Sequence, residues 1–130
     1  MIDVENAVFD AVYSAVASLV PTGCFKSVYV PNPTKFPFAT LMEIDNTTDT
    51  RMRDNSDTEQ YAIVTYEANV YAMERPECRN VMDALDSAML SLGFTRIAMT
   101  SVPNLADSRI FRLHAKYRAT VSGSTIYRHS

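Results

Sequence analysis

Residues 60–72 read QYAIVTYEANVYA, and this stretch decides the fold because its polar and apolar side chains alternate with the period of a β-strand. One set of alternate positions is small or apolar and is expected to face the core: Ala62, Val64, Tyr66, Ala68, Val70 and Ala72. The other set is amphipathic: Tyr61, Ile63, Thr65, Glu67, Asn69 and Tyr71. A strand with one apolar and one mixed face belongs in a sheet that is covered by helices on one side.

The segment before this strand predicts a hairpin partner. Phe38–Asp45 alternates as well, and the connection between the two strands, Asn46–Glu59, reads NTTDTRMRDNSDTE. A hairpin normally turns in two to five residues, whereas this loop has fourteen, six of them charged. A loop of that length in a small domain is usually functional or disordered.

The remaining patterns complete an α+β prediction. A helix is expected from Asp3 to about Val20 and a second from Pro76 to Leu92, with Gly93 as its stop signal. Further strands are expected at 25–30, 94–101 and 109–122, which gives the order α-β-β-β-α-β-β. We therefore expect a single domain over 1–122, with an antiparallel or mixed sheet flanked by two helices, and a short C-terminal tail over 123–130.

The first helix has more apolar surface than one core contact requires. One stripe contains Val4, Val8, Ala11, Val12, Ala15 and Leu19, and a second contains Ile2, Phe9, Tyr13, Val16 and Val20. The second stripe is expected to contact either the other helix or another subunit, and both interpretations stay open.

No motif for catalysis, metal or nucleotide binding is visible. The chain has 130 residues, a net charge of −3, three glycines, two histidines and two cysteines without CxxC spacing. This composition predicts one domain, no cofactor, reduced cysteines and no sequence-specific nucleic-acid binding. The N-terminus lacks the basic region of a signal peptide, and no apolar run is long enough to predict a membrane span.

Charged side chains suggest two electrostatic surfaces. Arg112, Lys116 and Arg118 form a basic row on one face of the last strand, and Asp83 and Asp86 share a face of the second helix. The row is expected to be a solvated strand face, a phosphate contact or a surface that meets the acidic helix of another subunit.

Several segments, in order, resemble tail-terminator (tail-completion) proteins of tailed bacteriophages and prophages of Gram-positive bacteria. They are FPFAT at 36–40 with Glu43 and Asp45, YEANVY at 66–71, Met82-Asp83 through LGFTR at 92–96, VPNL at 102–105, RIFR at 109–112, YRATV at 117–121 and TIYR at 125–128.

The resemblance implies a structural virion protein without catalytic residues. Such proteins form a ring, usually a hexamer, at the head-proximal end of the tail tube, after assembly in the host cytoplasm. The ring ends tube polymerisation and joins the tail-tube protein to the head-completion or connector protein, while DNA passes through its lumen. It contacts no membrane.

Two alternatives remain at this point. Another neck or tail component, such as a head-completion adaptor or a tail-tube protein, would carry similar patterns. A small cytosolic enzyme or ligand-binding domain is the alternative from a different class.

A heterologous ring subunit needs two different adhesive surfaces. The candidates are the second stripe of helix one (Phe9, Tyr13, Val16), the mixed face of the strand predicted at 60–72 (Tyr61, Ile63, Tyr71) and the loop residues Arg51, Met52 and Arg53.

Overall fold

A computed structural model describes residues 5–21, 23–28, 30, 33, 35–48, 62–103, 109–122 and 125–127. The elements, in chain order, are α1 (Glu5–Val16), β1 (Phe25–Lys26), β2 (Phe38–Thr48), β3 (Ala62–Ala72), α2 (Arg75–Leu92), β4 (Thr95–Pro103), β5 (Phe111–Ser122) and β6 (Thr125–Tyr127). The predicted α+β class and the element order are confirmed. One short strand, β6, is added inside the segment predicted to be a tail.

The sheet has the strand order β1-β2-β3-β5-β4, and β6 pairs with the end of β5. β1 runs parallel to β2, and all other pairs are antiparallel. β1 is shorter than the strand predicted at 25–30, because it contains only Phe25 and Lys26. β3 lies at the centre of the sheet, between β2 and β5: Tyr66 is opposite Glu43 of β2 and Tyr117 of β5.

The helices cover one face of the sheet. Tyr66 and Tyr117 are 1% and 0% exposed on that face, next to the buried stripe of α2, which contains Val81, Met82, Leu85 and Met89. α2 ends at Gly93, whose φ of 104° is left-handed and whose N–H bonds to the carbonyl of Leu90 at 3.1 Å.

α1 differs from its prediction in length and in facing. The regular helix ends at Val16, and the following three residues form turns. Its buried residues form one stripe with a spacing of four residues, Val8, Val12, Val16 and Val20, which takes members from both predicted stripes. Val16 and Val20 come from the second predicted stripe, and both are buried in the core of the same chain, where α1 packs against α2. The same-chain explanation therefore holds for these two residues.

A β-bulge in β2 changes the facing of two carboxylates. The register shifts between Glu43 and Asp45, so Glu43 lies opposite Tyr66 and Asp45 opposite Thr65. Neighbouring positions on β3 point to opposite faces. The two acids therefore lie on opposite faces of the sheet, whereas regular alternation would place two residues at this spacing on one shared face.

Candidate interaction surface

The sheet face that points away from the helices, here called the second face, carries most of the polar side chains of β3 and β5. β3 contributes Ile63, Thr65, Glu67, Asn69 and Tyr71, and β5 contributes Arg112, His114, Lys116, Arg118 and Thr120. Each of these β3 residues lies opposite one of the β5 residues, from Ile63 opposite Thr120 to Tyr71 opposite Arg112. The second face is thus mixed in polarity, as the alternation of residues 60–72 predicts.

One half of the second face is a buried polar network. The Arg112 guanidinium donates two hydrogen bonds to Asn69 Oδ1, at 3.0 Å and 2.8 Å, and stacks 5.5 Å from the ring centre of Tyr71. Asn69 Nδ2 donates to Glu67 Oε1 at 3.3 Å, and His114 Nε2 lies 3.4 Å from the same oxygen. Since Asn69 is 2% exposed, Arg112 satisfies a buried amide inside the subunit. Arg112 is therefore a structural side chain rather than an exposed member of a basic row.

The other half of the second face, here called the exposed half, is more accessible: Arg118 is exposed, and Ile63, Lys116 and Thr120 are half-buried. A shallow depression of about 380 Å³ lies across β3, β5 and the start of β4 and is lined by Ile63, Thr95, Ile97, Arg118, Ala119 and Thr120. Ile97 is 43% exposed, because a β-bulge at this position displaces it from the regular register of β4. Within the described ranges, no carboxylate forms an ion pair with Lys116 or Arg118. This half therefore combines apolar side chains with the exposed guanidinium of Arg118, while Lys116 lies opposite Glu67 in the register.

α1 presents a second surface through an aromatic cluster. The Phe9 ring lies 4.7 Å from that of Phe25 and 6.2 Å from that of Tyr13. Tyr13 is 42% exposed, while Phe25 is buried at the edge strand β1. Val16, which was expected at a subunit interface, is 0% exposed in the core, so that expectation is wrong for Val16.

The acidic pair on α2 is divided between two environments. Asp86 accepts a hydrogen bond of 2.7 Å from the Tyr117 hydroxyl and forms an ion pair of 3.0 Å with Arg96. Burial, together with the hydrogen bond to Asp86 and its charge, raises the pKa of Tyr117 far above that of a free tyrosine. Asp83 is exposed. Asp86 therefore acts within the subunit, and only Asp83 is available to another molecule.

Neither cysteine has the environment of a nucleophile. Cys24 and Cys78 are free and buried. The Cys78 thiol donates to the carbonyl of Val70 at 3.3 Å, and burial raises its pKa to about 11. A thiol with this pKa stays protonated at neutral pH and reacts slowly. The cavity of about 210 Å³ beside it is lined by Arg75, Phe111 and other side chains from α2, β4 and β5.

Metal ligation has no support in the part of the chain that the structure describes. No group of three or more His, Cys, Asp or Glu side chains converges there at a distance suited to a metal ion. Among the described helices, none has the length and apolar character needed to cross a membrane.

The remaining interface predictions have mixed outcomes. Arg51, Met52, Arg53 and Tyr61 lie outside the described residues. Ile63 is partly exposed beside the depression, whereas Tyr71 is 1% exposed and belongs to the buried network. Ile97 was not expected at a surface site, because strand alternation gives no signal for a bulge.

The chain is similar in fold to a chain from a solved structure described as the virion of a native gene transfer agent (GTA) particle. The two chains superpose with a TM-score of 0.67 over 95% of this chain and 100% of the other, at 17% sequence identity. At that identity the likeness concerns the fold. No family model matches the chain, and the search of curated proteins finds no match either.

Proposed function

We propose that this protein is a structural subunit of a phage-like virion and, more specifically, a tail terminator. The observation that carries the proposal is the fold similarity to a chain of a GTA virion, which extends over nearly the whole of both chains. The sequence resemblance to phage tail terminators points the same way. A virion subunit acts by binding neighbouring proteins, and this chain has two exposed surfaces, on the sheet and on α1, that suit such binding.

The surfaces suit a closed ring. Head-to-tail association needs two different patches on one subunit. A closed ring forms when the rotation from each subunit to the next adds up to one full turn. The exposed half of the second face and the aromatic side of α1 are two such patches, and they lie on opposite sides of the molecule. In the proposed role, six subunits form the ring and surround a lumen wide enough for DNA.

In that role the ring ends polymerisation of the tail tube and presents its other side to the head connector. Binding surfaces for the tail-tube protein and for a head-completion protein are therefore part of the proposal. Neither contact needs a cofactor, a metal or a membrane. DNA passes through the lumen without sequence-specific contacts.

The loop between β2 and β3 is proposed to be an assembly arm. Its first residues, Asn46–Thr48, extend β2, and residues 49–59 carry the charged and hydroxyl side chains that favour a polar contact with a neighbouring protein. Arg51, Met52 and Arg53 interrupt an otherwise acidic and hydroxyl-rich run, so they are the proposed contact residues.

Electron microscopy tests the proposed function. Purified protein is imaged over a range of concentrations, and the protein is located in particles by immunogold labelling. Closed single rings and labelling at the junction of head and tail are expected. Open stacked tubes would instead assign the chain to the tail tube, and absence of the protein from particles would overturn a structural role.

A deletion tests the arm separately. Removing residues 49–57 should leave the circular dichroism spectrum and ring formation unchanged while reducing the joining of heads to tails. Normal yields of infectious particles from the deletion variant would show that the arm has no assembly role.

A further inference from the structure

We propose that α1 of one copy packs on the exposed half of the second face of the next copy, with Asp10 opposite Lys116 and Arg118. This contact rests on the proposed ring and names the surfaces that would build it. The surface concerned, here called the α1 outer face, consists of Asn6, Asp10 and Tyr13 of α1 and of Ala17 in the turn that follows the helix.

The α1 outer face is exposed and lies on the side of the helix away from the core. Asn6, Asp10 and Tyr13 follow the spacing i, i+4 and i+7, which places them along one side of the helix, opposite the buried Val8. Ala17 continues this side, because its N–H bonds to the carbonyl of Tyr13 at 2.8 Å. All four side chains are exposed, and Tyr13 is 42% accessible.

The charge of α1 has one sign. The helix sequence ENAVFDAVYSAV contains acidic residues and no lysine or arginine. The helix therefore offers a large aromatic ring and a carboxylate, with no cation of its own to pair with that carboxylate.

The receiving surface has complementary properties. The depression of about 380 Å³ offers the apolar side chains of Ile63 and Ile97, and Arg118 lies at its edge. Lys116 is two positions from Arg118 on the same strand face and lies opposite Glu67 of β3, so Arg118 is the main unpaired cation that this surface offers among the described residues. Tyr13 would contact the isoleucines while Asp10 approaches the cations, so apolar area and charge match together.

The α1 outer face that covers the second face must belong to another copy of the chain. α1 packs on α2, and α2 covers the opposite face of the sheet. The α1 outer face and the second face of one subunit therefore cannot meet each other. Two copies can meet, and each then leaves one surface free for the next, which is the requirement for head-to-tail association.

The exposed surface of α2 is a poorer match for either patch. It mixes Arg75 and Arg79 with Asp83, so it offers no single sign of charge. Charge complementarity thus favours α1 over α2 as the helix that covers the second face. A helix layer on a half-exposed sheet face is also the usual way in which such a face is buried.

Cysteine cross-linking tests the contact directly. Ala17→Cys lies on the α1 outer face and Thr95→Cys lies beside Arg118, its register partner. The native cysteines are 2% and 1% exposed, so a short bismaleimide should react mainly at the introduced thiols. A chain that carries both substitutions should give a ladder of covalent oligomers, and a mixture of the two single variants should give dimers only.

The controls separate this contact from the proposed function. Either single variant alone should stay uncross-linked; efficient cross-linking of one alone would indicate a two-fold contact and overturn the proposal. Rings in the electron microscope without a ladder would overturn this interface and leave the proposed function standing. A protein that forms neither rings nor a ladder would refute the ring and the interface together.

Charge reversal gives an independent measurement. Asp10→Lys and Arg118→Asp should each weaken self-association by roughly 3–10-fold per contact in sedimentation velocity, and mixing the two variants should restore it. Asp83→Lys reverses an exposed acid on α2 and should leave association unchanged. An equal loss with Asp83→Lys, or no recovery on mixing, would contradict the pairing.

Discussion

The hydrogen bond between Tyr117 and Asp86 joins α2 to the sheet, and its removal gives a graded prediction. Tyr117 is 0% exposed, and its hydroxyl lies 2.7 Å from an Asp86 oxygen. Tyr117→Phe removes the donor and keeps the ring. A hydrogen bond to a charged group contributes about 1.5–3 kcal/mol. Asp86 keeps Arg96 and is 15% exposed, so the cost should lie near the lower end, about 1.5 kcal/mol.

Two further variants fix the scale. Asp86→Ala leaves the buried Tyr117 hydroxyl without its acceptor and should cost about 2–3 kcal/mol. Arg96→Met removes only the exposed end of the ion pair, because the Arg96 side chain is 44% exposed, and should cost about 0.5 kcal/mol. The expected order of destabilisation is therefore Asp86→Ala, then Tyr117→Phe, then Arg96→Met.

The assay is urea unfolding followed by circular dichroism, at pH 7 and at several salt concentrations. Salt should reduce the effect of Arg96→Met and change that of Tyr117→Phe little, because exposed pairs are screened more strongly. The double variant Tyr117→Phe/Asp86→Ala should show a coupling energy of about 1.5 kcal/mol. A Tyr117→Phe variant that costs no more than Arg96→Met would refute the reasoning.

Three other outcomes are expected. Between pH 9 and pH 11 the free energy of unfolding should fall by up to about 1.4 kcal/mol per pH unit, because the Cys78 thiol ionises near 9.0 in the unfolded chain but keeps its proton in the folded protein, where its pKa is about 11. Cys78→Ala should remove this part of the pH dependence. A Cys78→Ala variant with the same pH dependence as the parent protein would contradict this prediction. Leu85→Ala should cost about 2–5 kcal/mol in urea unfolding, since Leu85 is 0% exposed, whereas Leu90→Ala, at a position 46% exposed on the same helix, should cost under about 0.5 kcal/mol. Thr40→Val should stabilise the protein by about 1 kcal/mol, because the buried Thr40 hydroxyl has no hydrogen-bond partner among the described residues; a lower urea midpoint would show that the hydroxyl is satisfied.

Sequence patterns predicted the elements of the fold with few errors. The alternation of residues 60–72 predicted the strand β3 and the correct facing of its side chains, because a strand that is apolar on one side can bury only that side. The limits of α2 followed from Pro76 and Gly93, two residues whose backbone preferences act locally.

The errors concern features that depend on contacts between distant segments. α1 was divided into two stripes, because valines and alanines are spread around the helix and only the position of α2 selects which ones are buried. The predicted tail contains β6, whose pairing with β5 needs the sheet edge that β4 leaves free. The sequence of residues 125–127 alone does not indicate that a free strand edge is available for pairing.

The candidate surface was predicted in part. Arg112, Lys116 and Arg118 were correctly placed on one face of a strand, since alternation fixes facing. Their different roles were not predictable, because Arg112 is drawn into the subunit by Asn69, which lies on another strand. Asp86 likewise meets Tyr117 only after α2 has packed on the sheet.

The sequence by itself determined the α+β class, the element order and the polarity of each strand face, because these depend on residues close together in the chain. The tertiary structure decided which charges are neutralised inside the subunit and which remain at the surface. That choice depends on the strand order β3-β5-β4, on the two bulges and on the placement of α2, and each of these brings together residues that are far apart in sequence.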